Sequence, residues 1–279
     1  MTRRKTILAL IIGLSVAGML WAFWNREPTH RGRSLSFWLE QINDAGSLES
    51  CEPSLEAIRA MESNSLPFLL KNIENGEHSW FETRMFALVK RFPKTVALLP
   101  VSTRNQSPTC LALKTLGTNA SPIVLELGRL AAEPKTTRWA ALALFSIGPA
   151  GAPGLELGCG SSEQAIRANS ARFLCKVTDN EQRSWAWGWN PDANGKRRFG
   201  IGTHWGEEDL RALANLLRHT NASVRRASAD AFLLYHTTDG AMALRELKRA
   251  VKDDNQLVSQ AATEAVAAIE DHLRKEGKL

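Results

Sequence analysis

The sequence predicts an all-α chain built as an α-solenoid, and three observations carry that prediction. One alanine-rich apolar pattern recurs in seven segments, a second set of amphipathic segments lies between them, and short polar turns separate the two sets. The first set is LEAIRAM (55–61), RMFALVKRF (84–92), CLALKTLG (110–117), RWAALALFSIG (138–148), IRANSARFLCKV (166–177), VRRASADAFLLYH (224–236) and VSQAATEAVAAI (258–269). Alanines and branched apolars recur in these at i, i+3, i+4 and i+7, which lines them along one stripe of a helix. Equivalent positions fall near 50, 80, 105, 136, 166, 224 and 258, a spacing of about 30 residues with one short step of 25 and one long step of 58.

The second set is SLPFLLKNI, SPIVLELGRLAA, APGLELG, EDLRALANLLRH and GAMALRELKRAV, with Pro67, Pro122 and Pro153 early in three of them. Proline's missing N–H and fixed φ cost least in a helix's first turn. The turns ENGEH, AAEPKTT and HTNAS supply cap-type Asn, Thr and Ser. A single helix pair cannot bury its own apolar face, so neighbours must stack, and about six to seven pairs are expected over 51–270.

VRRASADAFLL and RWAALALFSIGPAGAPGLELG resemble HEAT-type repeats. GRSLSFWLEQI (32–42), followed by AIRAMESNSLPFLLKNI (57–73), further resembles membrane-anchored bacterial HEAT-repeat proteins of the verrucomicrobial kind. In those a GxxLSxWL segment follows the anchor and leads into the first repeat. The similarity covers roughly 32–180 and 207–270, and it implies an armadillo-like α-solenoid without naming a ligand. The steps of 25 and 58 depart from the family's regular spacing.

At the N-terminus a basic tail (1–6) precedes an apolar run, Ile7 to Trp24, whose 18 residues suffice to cross a bilayer core. Trp21 and Trp24 stand near its far end, where aromatic rings favour the lipid–water interface. A transmembrane signal anchor over 7–24 is expected. A cleaved signal peptide cut after Ser15-Val16-Ala17 and a soluble core helix are the alternatives. Arg3, Arg4 and Lys5 are nearly balanced by Arg26, Arg31 and Arg33, so the positive-inside signal is weak. The short leading tail makes an extracytoplasmic body the default. A juxtamembrane linker with the GxxLSxWL segment (25–50), the solenoid and a charged C-terminal tail (271–279) complete the organisation.

Charge counts against nucleic acid as a partner. Residues 1–33 hold six basic side chains against Glu27, so they account for +5 of the chain's net +6. The body is close to neutral and carries no nucleic-acid footprint. No cofactor or metal site is expected either. The four cysteines form no CxxC pair and no Cys/His ligand spacing, and they read as small buried core residues. A Cys159–Cys175 disulfide is open in an oxidising compartment. The six histidines show no HExxH, and GIGTHWG (200–206) lacks the third glycine of a dinucleotide loop. Glu207, Glu208 and Asp209 stand where a helix starts and suit its positive end. Arg225 and Arg226 read as repeat-consensus surface positions. Asn119 and Asn221, in TNAS turns, match a glycosylation pattern but suit helix caps. No catalytic residue emerges.

The long step holds about 28 residues beyond one period, and the excess falls on 179–206. Insertions into solenoids map to loops that often form the binding face. Trp185, Trp187 and Trp189 alternate at the period of one strand face, NPDANG (190–195) offers turn chemistry, and KRRFGIG (196–202) can return as a partner strand. A small Trp-rich β-hairpin is expected. Its candidate interaction residues are Trp185, Trp187, Trp189, Lys196, Arg197, Arg198, Phe199 and Trp205. Each buried Trp can remove roughly 200 Å² from water, so the rings need a cover: a neighbouring helix ridge, a partner or ligand, or the membrane interface.

The expected function is a non-enzymatic, membrane-anchored HEAT-type scaffold for protein–protein interaction in the cell envelope, its protein partner unspecified. A glycan or small-ligand module using the Trp-rich hairpin is one alternative. A HEAT-like enzyme of the lyase or DNA-base glycosylase type is another.

Overall fold

The computed structural model describes residues 27–45, 47–75, 107–178, 185–191, 197–203, 206–235 and 239–278, the segments 185–191 and 197–203 as backbone. The expected anchor at 7–24 and the segment RMFALVKRF at 84–92 lie outside the described residues.

The chain enters through a miniature hairpin, β1 (Thr29–His30) and β2 (Arg33–Ser34), joined by Arg31 and Gly32. Both linking residues have positive φ, 51° and 72°. That is the mirror-image turn favoured by two-residue hairpins. Ser34 then caps α1 (Leu35–Asp44), its Oγ accepting from Phe37 N–H at 3.3 Å. Ser47 and Ser50 form a reciprocal capping box at the start of α2 (Leu48–Met61). A 3-10 turn leads into α3 (Leu66–Glu74), with Pro67 in its first turn. There follow α4 (Ser107–Leu116), α5 (Val124–Ala131), α6 (Thr137–Ile147), α7 (Ala152–Cys159) and α8 (Gln164–Thr178). Two strands, β3 (Trp185–Pro191) and β4 (Arg197–Thr203), precede α9 (Glu207–Asn215), α10 (Ala222–Tyr235), α11 (Leu244–Ala250) and α12 (Gln256–Lys275).

The helices form two rows. In the first row α4, α6, α8, α10 and α12 each pack on the next. These are the alanine-rich segments. Ala140, Ala141, Ala143, Ala168, Ala171, Ala227 and Ala262 are completely buried, and their short side chains let the helix axes approach closely. The proline-started set makes the second row, in which α5 packs on α7 and α9 meets α11. One continuous core runs along the seam, from Leu35 and Ile42 in α1 to Ile269 and Leu273 in α12. A two-row α-helical repeat is the result, with α1 packed on α2 and α4 at its N-terminal end.

Three details differ from the sequence reading. Pro122 lies not in a helix's first turn but in the 3-10 stretch Gly117–Ile123 that feeds α5. Asn119 sits in the same stretch and caps nothing. Asn221 does cap, its Oδ1 accepting from Ser223 N–H at 2.9 Å before α10. Helix α12 runs through Lys275, so the charged segment from 271 is mostly helical, held by pairs such as Lys275–Asp271.

Cys51, Cys110, Cys159 and Cys175 are all buried and free. Burial pushes the Cys51 thiol up to about 11, with help from Glu52, and raises Cys110 and Cys159 further. Among the described residues one stretch, Thr137–Cys159, is long and apolar enough to span a membrane by composition. It is α6 and α7 together, broken by Gly148 at φ 83° and mostly buried in the core.

Candidate interaction surface

The insertion leaves the solenoid between α8 and α9, and its two ends meet. Lys176, in the last turn of α8, places its Nζ 2.9 Å from Oδ1 of Asp209 in the first turn of α9. The other carboxylate oxygen of Asp209 accepts from Gly206 N–H at 2.9 Å and closes the helix start. Acidic residues therefore do stand at the positive end of α9, as expected, and one of them also neutralises a buried lysine.

Between those ends β3 and β4 pair antiparallel, which is the expected hairpin. Trp185 lies opposite Thr203, Trp187 opposite Ile201 and Trp189 opposite Phe199. Directly opposed residues share a face, so these positions belong to one face of the ribbon. Ala186, Gly188, Asn190, Arg198, Gly200 and Gly202 occupy positions of the other. Pairing runs two residues further than the turn reading, with Asn190 opposite Arg198 and Pro191 opposite Arg197. Proline without its N–H is tolerated at such a strand end. Arg197 and Arg198, being adjacent, occupy register positions on opposite faces of the ribbon. Lys196 and Trp205 lie outside the described residues.

Strand β4 lies alongside α1 and α4, although the insertion springs from α8. The sequence carries no signal for this reach. It also carries none for the ion pairs that stitch the first row across the insertion. Arg167 in α8 donates through Nε to Asp230 in α10 at 2.7 Å, with both side chains almost completely buried. Its Nη1 donates to the carbonyls of Ser161 and Ser162 at 3.0 and 2.7 Å. Gln164 adds a bond to Asp230 at 2.9 Å.

Arg225 repeats the device one unit on. Its Nε and Nη2 donate to both oxygens of Asp253 at 2.7 and 2.9 Å, and its Nη1 donates to the carbonyls of His219 and Thr220. The consensus arginine is thus a half-buried staple rather than a surface position. That bond raises the Arg225 pKa and holds Asp253 below the usual carboxylate range. Beside it opens a polar cavity of about 350 Å³, lined by Arg218, Arg225, Glu246, Arg249 and Asp253 among others. Glu246 there accepts from Arg218 at 2.8 Å and from Arg249 at 3.1 Å, and the Arg218 bond foremost holds its pKa low. The three arginines of this cavity all pair with Glu246 or Asp253. Among the described residues no cluster of His, Cys, Asp or Glu suits a metal ion.

No family model matches the chain, and no curated protein does. Among solved structures a designed armadillo repeat protein is similar at 13% identity, over 85% of this chain and 100% of its own length, with a TM-score of 0.27. So low a score adds nothing to the helical-repeat assignment, which rests on the stacked rows themselves.

Proposed function

We propose that this chain is a non-enzymatic scaffold of the bacterial cell envelope, held to the membrane by residues 7–24, that binds other proteins through its solenoid body. The hairpin is its recognition element, and the resemblance of GRSLSFWLEQI to anchored HEAT-repeat proteins supports the anchored reading. One observation carries the reading: a two-row helical stack is interrupted by a Trp-rich hairpin, and the two helices that flank it are joined by Lys176 and Asp209. Stacked repeats build rigid extended surfaces, and insertions between them commonly supply specificity. Joined flanks hold together the helices from which such an insertion springs.

The test is co-purification from detergent extracts, comparing the wild-type chain with one lacking 183–206. Loss of specific protein partners from the deletion is the expected result. Recovery of the same partners by both chains would refute the hairpin's role.

A further inference from the structure

The cavity beside Arg225 holds an arrangement that stability alone does not call for. Its lining carries four basic side chains besides His219, three arginines and Lys252, against the carboxylates of Glu246, Asp253 and Asp254. Asp253 is matched by one arginine, Arg225, through both of its oxygens. One such fork suffices for a carboxylate. Glu246 instead collects three. It accepts from Arg218 at 2.8 Å, from Arg249 at 3.1 Å and from Arg245, outside the lining, at 3.2 Å. Its own side chain is 10% exposed, whereas those of Arg218, Arg245 and Arg249 are 54%, 85% and 64% exposed. Arg245 and Arg249 stand at i and i+4 on α11, a spacing at which like charges repel. A nearly buried acid thus holds three wet guanidiniums together, with two positive charges in excess.

We propose that this cavity binds an acidic segment of a partner protein, with Arg218, Arg245 and Arg249 as the carboxylate receptor and Glu246 as the residue that sets their geometry. The site belongs to the scaffold reading, rests on it, and adds a contact besides the hairpin. Each guanidinium carries five donors in a planar fork, of which Glu246 engages one or two. Most of the others remain for an incoming oxyanion, and a fork held in advance loses less freedom on binding. Lys252, exposed and in no ion pair among the described residues, adds a further cation. Two charges in excess and a cavity of about 350 Å³ suit a run of carboxylate side chains better than one small ion. Asp254, exposed in the same lining, works against an anion.

Fluorescence anisotropy of a dye-labelled hexaglutamate peptide, titrated with the full-length chain in detergent at low salt, tests the site. Saturable binding is expected, weakened about tenfold or more in the double variant Arg218→Gln/Arg249→Gln. Two single variants leave every hydrogen bond of Glu246 in place. Lys252→Gln should weaken binding about threefold, and Asp254→Asn should tighten it about threefold. Lys248→Gln removes the same charge from a residue paired with Glu270 outside the lining, and it should change binding by less than about twofold. No saturable binding would overturn the proposal, and so would equal losses in Lys248→Gln and Lys252→Gln, which report net charge alone. Displacement of the peptide at equal concentration by inorganic phosphate or by short-chain phosphatidylglycerol would overturn the assignment to a protein segment. The titration and the 183–206 deletion change different residues, so the two ideas fail separately. The cavity can bind the peptide while no hairpin-dependent partner is found, and partners can be recovered while the peptide does not bind.

Discussion

Lys176 Nζ lies 2.9 Å from Asp209 Oδ1, with the lysine side chain 3% exposed and the aspartate 16%. Lys176 stands in the last turn of α8 and Asp209 in the first turn of α9, so the pair joins the two helices that flank the insertion. The partners are not equivalent. Asp209→Ala takes a carboxylate away from the buried Lys176 ammonium and also strips the bond to Gly206 N–H. A loss of about 3–5 kcal/mol is expected from removing one partner of a buried ion pair. Lys176→Met leaves a wetter carboxylate that still caps α9, so its cost should be clearly smaller. Denaturant unfolding of the full chain separates the two, and equal losses would show that the clamp is not a buried ion pair in solution. Glu207→Ala, on an exposed side chain of the same turn, serves as the control and should stay within about 0.5 kcal/mol.

Arg167 cannot be replaced by lysine at low cost. Its fork reaches one carboxylate and two turn carbonyls from a site that is 4% exposed. A lysine ammonium is a point charge that cannot span all three. Arg167→Lys should lose at least one charged hydrogen bond, about 1.5–3 kcal/mol. Arg225→Lys, at a wetter site, should lose less. Thermal melts of the two variants, compared with wild type, check the order, and a larger drop for Arg225→Lys would contradict it.

The row architecture was legible because alanine periodicity and early prolines are local signals, repeated often enough to phase the helices from IRANSARF to VSQAATEA. The hairpin was legible for the same reason, since Trp185, Trp187 and Trp189 carry a period of two in five residues. Its seat on α1 and α4 was not. That contact joins residues near 200 to residues near 40 and 110, and no short-range pattern encodes it. Asp230 and Asp253 were equally silent, because a carboxylate's partner is set by how the repeats stack and not by its neighbours in sequence. Lys176 reads as an ordinary last-turn cation until Asp209 is placed beside it.

The tightest packing lies where α7 crosses α5 and α6. A Cβ on Gly151 would stand 2.0 Å from the Leu144 carbonyl oxygen, and one on Gly154 would stand 2.7 Å from the Val124 carbonyl oxygen. Backbone cannot yield as a side-chain tip can. Gly151→Ala and Gly154→Ala should each cost about 1–3 kcal/mol or more through overpacking, with Gly151 the worse. Gly206, whose added Cβ meets nothing within 4 Å, is the matched control and should accept alanine almost without loss. Urea midpoints of the three variants are the measurement, and a tolerated Gly151→Ala would refute the close approach of α6 to the following turn.

Acid should loosen the C-terminal units through Asp253 and Glu246. Both carboxylates are held below their ordinary values, Asp253 foremost by its hydrogen bonds from Arg225 and Glu246 foremost by that from Arg218. A depressed folded-state pKa contributes stability that is fully present above the unfolded value and is lost as pH falls through the folded one. For these groups the loss begins as pH drops into the range of 4.5 to 3.8, the ordinary values of the two side chains, and continues below it. Asp253→Asn removes one of the two titrations. It should lower stability at neutral pH, where the wild-type pair is intact, yet show a shallower decline on acidification. Denaturant midpoints taken in steps from about pH 6 down to about pH 2.5 give both slopes. If Asp253→Asn kept the wild-type slope, the Arg225–Asp253 staple would carry none of the acid sensitivity, and the decline would have to come from carboxylates elsewhere.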